Sequence, residues 1–294
     1  MGAANLTRRR FGALMVFLAM AGGVNAAPND KIIVSGASGQ LGQLVVKDLL
    51  ARGVPAKNLI LVSRTPETLQ EFAKLGASAR FGDFAKPESL PAAYAGGTRM
   101  LLISIGGGAG PRPEAHKRAI DAAKAAGVKQ IAYTSWITLS GDDHSGIGAD
   151  HFATEEILKK SGVAWTMLRN SVYSNAIPAQ AAKMVAEGRA VVPKGEVKFG
   201  YVTREDCADA AAAVLVTPGH ENKVYDITGP EAIGIGEIAA AASAVSGKKI
   251  EVVEGDAAPR QIAGPAASRV STDVMTLTGH PPKTVKELLK EKLK

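Results

Sequence analysis

The heptapeptide Gly36-Ala37-Ser38-Gly39-Gln40-Leu41-Gly42 constrains this chain more than any other stretch. It follows a short β-branched apolar run at residues 31–35. It precedes residues 40–52, where Leu41, Leu44, Val45 and Leu49 recur at helical spacing. A strand that runs into a helix through three glycines has a specific physical meaning. Gly36 permits the tight turn, Gly39 lets backbone approach a pyrophosphate, and Gly42 lets the helix pack closely on its strand. The free N–H groups and positive dipole end of the helix then favour phosphates. Gly36, Ser38, Gly39, Gln40, Leu41 and Gly42 are therefore expected to hold a dinucleotide. A G-x-S-x-G nucleophile elbow is excluded, because position 40 is Gln40 rather than glycine.

Further apolar runs at residues 58–63, 79–81, 100–105, 130–135 and 164–168 read as strands. Helical patterns at 66–75, 113–126 and 150–161 separate them, the first with Thr65 as its expected cap and Pro66 at its first position. Such alternation predicts an α/β fold, a Rossmann-type doubly wound parallel sheet covered on both faces. After Arg169 the rhythm loosens. Helices are expected at 178–187, from a Thr203 cap to 216, at 235–246 and at 284–294, with short strands at 190–192, 197–202, 223–228 and 250–253. The expected division is a Rossmann domain over 27–168 and a small α+β substrate lobe over 169–294, interleaved with the Rossmann sheet.

The end of the second strand reports the dinucleotide. NAD readers place an acid about 20 residues after the glycine loop, to bind the ribose 2′-hydroxyl. This strand ends Leu61-Val62-Ser63-Arg64, without an acid. Arg64 forks onto a 2′-phosphate and Ser63 adds a hydroxyl, so NADP(H) is the expected cofactor. Asp83 and Phe84, after the third strand, lie where related folds hold the adenine. Asp83 suits either the adenine amino group or the cap of the next turn.

The first 26 residues read as an address. Thr7-Arg8-Arg9-Arg10-Phe11 leads into a short apolar run that ends at Val24-Asn25-Ala26, a small-x-small cleavage pattern. The paired arginines resemble a twin-arginine export signal, although Gly12 and Ala13 replace the usual Leu and Lys. The expectation is therefore recognition by the twin-arginine machinery, cleavage near Ala26, a periplasmic mature protein and no stable membrane span in it; a Sec signal or an uncleaved anchor is the alternative. Cleavage removes three arginines and no acids, which lowers the formal charge from +7 to +4. The lysines of the last helix alternate with glutamates and read as a solvated face, so no nucleic-acid partner is expected. One cysteine excludes an internal disulfide and cysteine-rich zinc modules, and the five histidines show no metal-binding spacing.

Several segments together resemble the NmrA-like atypical short-chain dehydrogenases. They are the glycine loop, Leu61-Val62-Ser63-Arg64-Thr65-Pro66, Ala122-Ala123-Lys124-Ala125-Ala126-Gly127-Val128, Ile131-Ala132-Tyr133-Thr134-Ser135, His151-Phe152-Ala153-Thr154-Glu155 and Leu168-Arg169-Asn170-Ser171-Val172-Tyr173-Ser174. The resemblance implies an NADP-binding Rossmann domain with a small C-terminal lobe, and hydride transfer to a quinone-like or other flat acceptor. A non-catalytic NADP-binding sensor is the alternative that the family also allows. Conventional short-chain dehydrogenases use Tyr and Lys four residues apart on a helix. None of the five tyrosines here has a lysine at that spacing, and the corresponding helix carries His151 and Glu155. That argues against epimerases and ordinary alcohol dehydrogenases. A delocalised acceptor anion takes its proton from water, so the protein need only position the reactants and exclude solvent.

Strand C-termini are where such sheets bind ligands. Ser104 and Gly106, Thr134, Ser135 and Trp136, and Asn170 and Tyr173 are the expected lining. Asn170, Tyr173 and His151 are the catalytic candidates. Two departures bear on the acceptor. The family pattern places an Asn three residues beyond the Tyr, where this chain has Ala176, with Asn175 one residue early. Between the strand ending at Val253 and Val270 lie few residues, including Pro259, Gly264 and Pro265, where relatives carry a longer cover. A more open pocket is expected.

Overall fold

The computed structural model describes residues 30–137, 146–255 and 268–293. The expected leader, its cleavage site and most of the shortened cover lie outside the described residues. Nine strands and ten helices follow in chain order among the residues described. Seven strands form one parallel sheet: β1 (Ile32–Ser35), β2 (Leu59–Ser63), β3 (Ser78–Phe81), β4 (Arg99–Leu102), β5 (Gln130–Trp136), β6 (Ala164–Asn170) and β8 (Lys223–Ile227). Their order is β3-β2-β1-β4-β5-β6-β8. Every residue of β1 and β2 is buried, as expected for central strands with both faces covered. The chain fills the sheet outward from β1 to β3, then returns to β4 and fills the other side. The crevice beyond the C-termini of β1 and β4 is therefore the topological switch point, where open α/β sheets bind ligands.

One face is covered by α1 (Gln40–Ala51), α7 (Arg204–Val216) and α9 (Asp273–Thr278). The run Ala210 to Ala213 in α7 keeps side chains small enough for close approach to α1, and nearly the whole helix is buried. The other face is covered by α3 (Leu90–Tyr94), α4 (Arg112–Ala125) and α5 (Gly146–Lys160). A third apolar cluster joins α6 (Ile177–Glu187), α8 (Ile235–Ser246) and α10 (Val285–Lys292) around Phe199 and Tyr201. Beside it β7 (Arg189–Pro193) pairs in parallel with β9 (Glu251–Gly255). Among the described residues no helix is long and apolar enough to cross a membrane.

Four local readings are corrected. Strand β4 ends at Leu102 rather than 105, because side chains take over the next backbone amides: Ser104 N–H donates to Thr134 Oγ1 and Ile105 N–H to a ring nitrogen of His116. The predicted helix at 66–75 opens as a 3₁₀ turn, Pro66–Leu69, and only Gln70–Lys74 is α-helical (α2). Thr65 does not cap it with its side chain; its own N–H donates to Ser63 Oγ. Residues 197–202 are not a strand. Phe199 and Val202 make isolated bridges to Ile233 and Tyr173, and Gly200 lies so close to the carbonyl of Arg269 that a Cβ would sit 2.5 Å from it. Helix α5 begins a turn before residue 150.

Candidate functional site

The glycine loop turns sharply after β1. Gly36 has φ +94°, and its N–H donates to the Val62 carbonyl at 2.9 Å. Gly42 sits where a Cβ would lie 2.3 Å from the Gly36 carbonyl oxygen, so helix and loop touch backbone to backbone. The resulting cleft is lined by Gly36, Ser38 and Gly39 from the loop, Ser63 and Arg64 from the end of β2, Asp83 and Phe84 beyond β3, and Ile103 to Gly107 beyond β4. Gln40 and Leu41 do not line it. Leu41 is buried in the core, and these two residues contribute the first turn of the helix.

Ser38 and Ser63 hydroxyls are 2.6 Å apart and fasten the loop to the end of β2. Arg64 is exposed at the rim, beside Gly108. Asp83 Oδ1 accepts the Ala85 N–H at 3.0 Å, which is the turn-capping role, and the residue still lines the cleft. Arg118 spans the far wall, donating to the Phe84 carbonyl at 2.9 Å and the Ala109 carbonyl at 2.7 Å. It ties the turn after β3 to the glycine-rich loop at residues 106–110.

A second cleft opens from the first and shares Ser104, Ile105 and Gly106 with it. Its other walls are Arg112, Thr134, Ser135, Trp136, Ile147, His151, Asn170 and Tyr173. Thr134 Oγ1 holds Ser104, whose backbone N–H is 2.9 Å away. Ser135 donates to Glu155 Oε1 at 2.6 Å. Glu155, buried and one turn beyond His151, is also held by Arg169 from β6 through two bonds of 2.9 and 2.6 Å, and these bonds raise the Arg169 pKa. The helix face that carries Tyr and Lys in conventional relatives thus carries a lining histidine and a structural carboxylate.

Asn170 Nδ2 donates to Tyr173 Oη at 3.1 Å, while Asn170 Oδ1 is buried without a protein partner. A buried amide oxygen left unpaired costs on the order of 1–3 kcal/mol, and Asn170 is one of the residues that line the second cleft. Burial raises the Tyr173 pKa, so the phenol stays protonated. His151 is buried in α5, and burial first, then Arg112, lowers its pKa to about 4. Asn175 does not reach the cleft; it accepts the Arg204 N–H and donates to Glu205 at the start of α7.

Sequence reasoning missed Arg112, His116 and the buried hydroxyl of Tyr133. A lysine search says nothing of where the Tyr133 hydroxyl points, and nothing in local spacing places His116 of α4 against β5. Arg112 had a signal, since it opens the helix after a glycine-rich strand end.

A doubly wound sheet with a glycine cradle at its switch point, continuous with a second cleft, defines a dinucleotide-dependent protein of the short-chain dehydrogenase class. The residues fit the dinucleotide: a Cβ at Gly42 would close the cradle, and Asn170 Oδ1 waits for a donor. The chain belongs to the NAD(P)H-binding family, whose model matches residues 36–218, and to its NmrA-like branch. It is 37% identical over 219 residues to quinone oxidoreductase 2 of Escherichia coli K12, covering 74% of this chain and 76% of that one. A crystal structure of the E. coli NADPH-dependent enzyme with NADPH superposes with a TM-score of 0.79 at 33% identity, covering 90% of this chain and all of that one. Triphenylmethane reductase of Citrobacter sp. with NADP(H) gives a TM-score of 0.80 at 32% identity, covering 89% and 99%.

Proposed function

We propose that this chain is an NADPH-dependent reductase of a quinone-like or other flat acceptor. The observation that carries the reading is the junction of the two clefts at Ser104, Ile105 and Gly106. The first cleft has the shape and donors of a dinucleotide site. The second is walled by Trp136, Tyr173 and the His151 ring, flat surfaces suited to a flat molecule. The cofactor is NADP(H): both structural relatives above hold it, and the exposed Arg64 at the rim of the first cleft offers a guanidinium for a 2′-phosphate. When bound, NADPH supplies a hydride, so two electrons and one proton reach the acceptor, NADP⁺ remains, and water provides the second proton of a hydroquinone.

The roles assigned to this chain's residues are positional. Gly36, Ser38, Gly39 and the first turn of α1 hold the phosphates, and Ser63 with Arg64 holds the 2′-phosphate. Asp83 and Phe84 border the adenine. Ser104, Thr134 and Ser135 line the floor between the clefts. Asn170 Oδ1 accepts from an amide or hydroxyl donor in the cleft, and Tyr173 Oη, already an acceptor for Asn170, keeps its own proton to donate. Purified protein mixed with NADPH and a panel of quinones, azo dyes and triphenylmethane dyes is expected to oxidise the cofactor. NADPH that binds, by fluorescence, and is never oxidised would replace this reading with the non-catalytic sensor, which the missing Tyr/Lys pair favours.

We also propose that residues 1–26 are a twin-arginine leader, which suits a protein that loads NADP(H) in the cytoplasm and crosses folded to the periplasm. A Sec substrate crosses unfolded and would arrive without its cofactor. Replacing Arg8 and Arg9 by Lys is expected to leave precursor in the cytoplasm on fractionation; undiminished export would remove the twin-arginine assignment.

A further inference from the structure

Between α4, β5 and α5 lies a buried polar chain that the proposed reaction does not yet use. It begins at a backbone amide. Ile105 N–H donates to His116 Nε2 at 3.1 Å, and the Ile105 carbonyl accepts from Arg112 Nε at 2.7 Å. A backbone N–H only donates, so His116 Nε2 is an acceptor and carries no proton. Burial lowers the His116 pKa to about 3, with His151 and Arg112 adding to the shift, so the ring is neutral and its one proton is on Nδ1. That proton points to Thr154 Oγ1 at 3.0 Å, whose own hydrogen goes to the Asp150 carbonyl at 2.9 Å. Tyr133 Oη lies 3.4 Å from the same Nδ1–H and 2.8 Å from His151 Nδ1. His116 Nδ1 has no lone pair to offer. Tyr133 also meets the Thr154 hydroxyl, but that oxygen already accepts from His116 Nδ1, which leaves His151 Nδ1, at 2.8 Å, as the acceptor of the Tyr133 hydrogen. Neutral His151 then carries its proton on Nε2, the nitrogen with no protein partner among the described residues, on a ring that lines the second cleft.

We propose that His151 is a neutral hydrogen-bond donor to the oxygen of a carbonyl-type acceptor, with its Nε2–H tautomer imposed by Tyr133 and, through His116, by the Ile105 backbone. This rests on reading the second cleft as the acceptor side. His151 is the catalytic residue of the set; Tyr133 and His116 are positioning residues. Negative charge develops on the acceptor oxygen during hydride transfer, and a preoriented N–H in a dry site stabilises it without reorganisation. The histidine gives a hydrogen bond and keeps its proton, since water completes the hydroquinone. The charged groups around the ring are consistent with neutrality. Arg112 from α4 disfavours the imidazolium and is itself met by Asp150; Glu155 of α5 is engaged by Arg169; His116, Tyr133 and Tyr173 are uncharged. The first link of the chain, Ile105, is shared by both clefts, so the backbone that borders the cofactor also sets the donor that faces the acceptor.

The test uses the full chain with ¹⁵N-labelled histidine and bound NADPH. Long-range ¹H–¹⁵N spectra from pH 5 to 8 are expected to show His151 as the neutral Nε2–H tautomer throughout. Tyr133→Phe is expected to admit the other tautomer and move the titration upward, toward the ordinary histidine range. An Nδ1–H tautomer or an imidazolium at pH 7 in the unaltered protein would overturn the proposal. In turnover with a benzoquinone, His151→Leu should lower kcat about 10²-fold at constant KM for NADPH. His151→Gln, whose amide places an N–H near the Nε2 position, should restore most of the loss. Unchanged kcat in His151→Leu would also overturn it. If His151→Leu does not fold, the spectrum and the Gln variant decide. An unaltered protein that never oxidises NADPH would instead sink the reductase reading, an outcome distinct from a wrong tautomer.

Discussion

At the scale of single residues, Gly42 and Arg64 make contrasting demands. Gly42 packs against backbone, and a Cβ there would lie 2.3 Å from the Gly36 carbonyl oxygen and 2.8 Å from the Ala37 Cα. Gly42→Ala is expected to cost about 1–3 kcal/mol of stability, through the same overpacking that strains any filled core. The same change should weaken NADPH binding, because the displaced atom belongs to the phosphate loop. Urea denaturation and fluorescence titration of the purified variant measure the two effects. Arg64 is exposed and supports nothing in the fold, so Arg64→Asp should leave the denaturation midpoint unchanged while shifting preference from NADP toward NAD. Unchanged preference would remove the 2′-phosphate assignment.

At the scale of elements, the Arg169–Glu155 pair joins β6 to α5 behind the second cleft. Glu155 is fully buried, so removing its cation leaves an uncompensated charge. Arg169→Met is expected to destabilise the protein by about 3–5 kcal/mol. The double variant that also replaces Glu155 by Met should recover much of that loss in the same denaturation experiment. The helix that carries Glu155 was legible as a helix, and β6 as a strand, because each has a period that its own residues spell out. Their partnership was not, since it depends on the register of β6 beside β5. The same limit explains the rest. The glycine loop and the strand ends of the site stand out locally, each on its own strand or turn. The end of β4 was misjudged because its amides are taken by Thr134 and His116, residues about 30 and 11 positions away. The stretch predicted as a strand at 197–202 has apolar residues, but its backbone makes only isolated bridges, to Ile233 and Tyr173, in place of a ladder.

At the scale of the whole molecule, two buried neutral histidines set the response to acid. Their folded pKa values, about 3 for His116 and about 4 for His151, lie below the ordinary 6.5, so the unfolded chain binds protons first as pH falls. Stability is therefore full above pH 6.5 and declines below it, with a limiting slope of about 1.4 kcal/mol per pH unit for each histidine. Asp48 acts the other way. Burial and Asp209 raise its pKa to about 6, so the folded state takes up a proton between roughly pH 6 and 4. One half-buried carboxylate does not offset two buried rings, and the net expectation is a falling urea midpoint from pH 7 to pH 5. His116→Phe should flatten that profile, and an unaltered slope would contradict the assignment.

The close packing of α7 on α1 and the place of β8 in the main sheet also govern the order in which the molecule can be made. The cradle for the dinucleotide is written near residue 36, but the wall behind its helix is supplied by residues 204–216 and the sheet is completed only by residues 223–227. A growing chain that stops at residue 168 therefore leaves one face of α1 bare, and a fragment of that length is expected to remain soluble only with chaperone help. The loop can fasten to the end of β2 early, through Val62 and Ser63, but the ribosome must deliver most of the protein before α1 is covered.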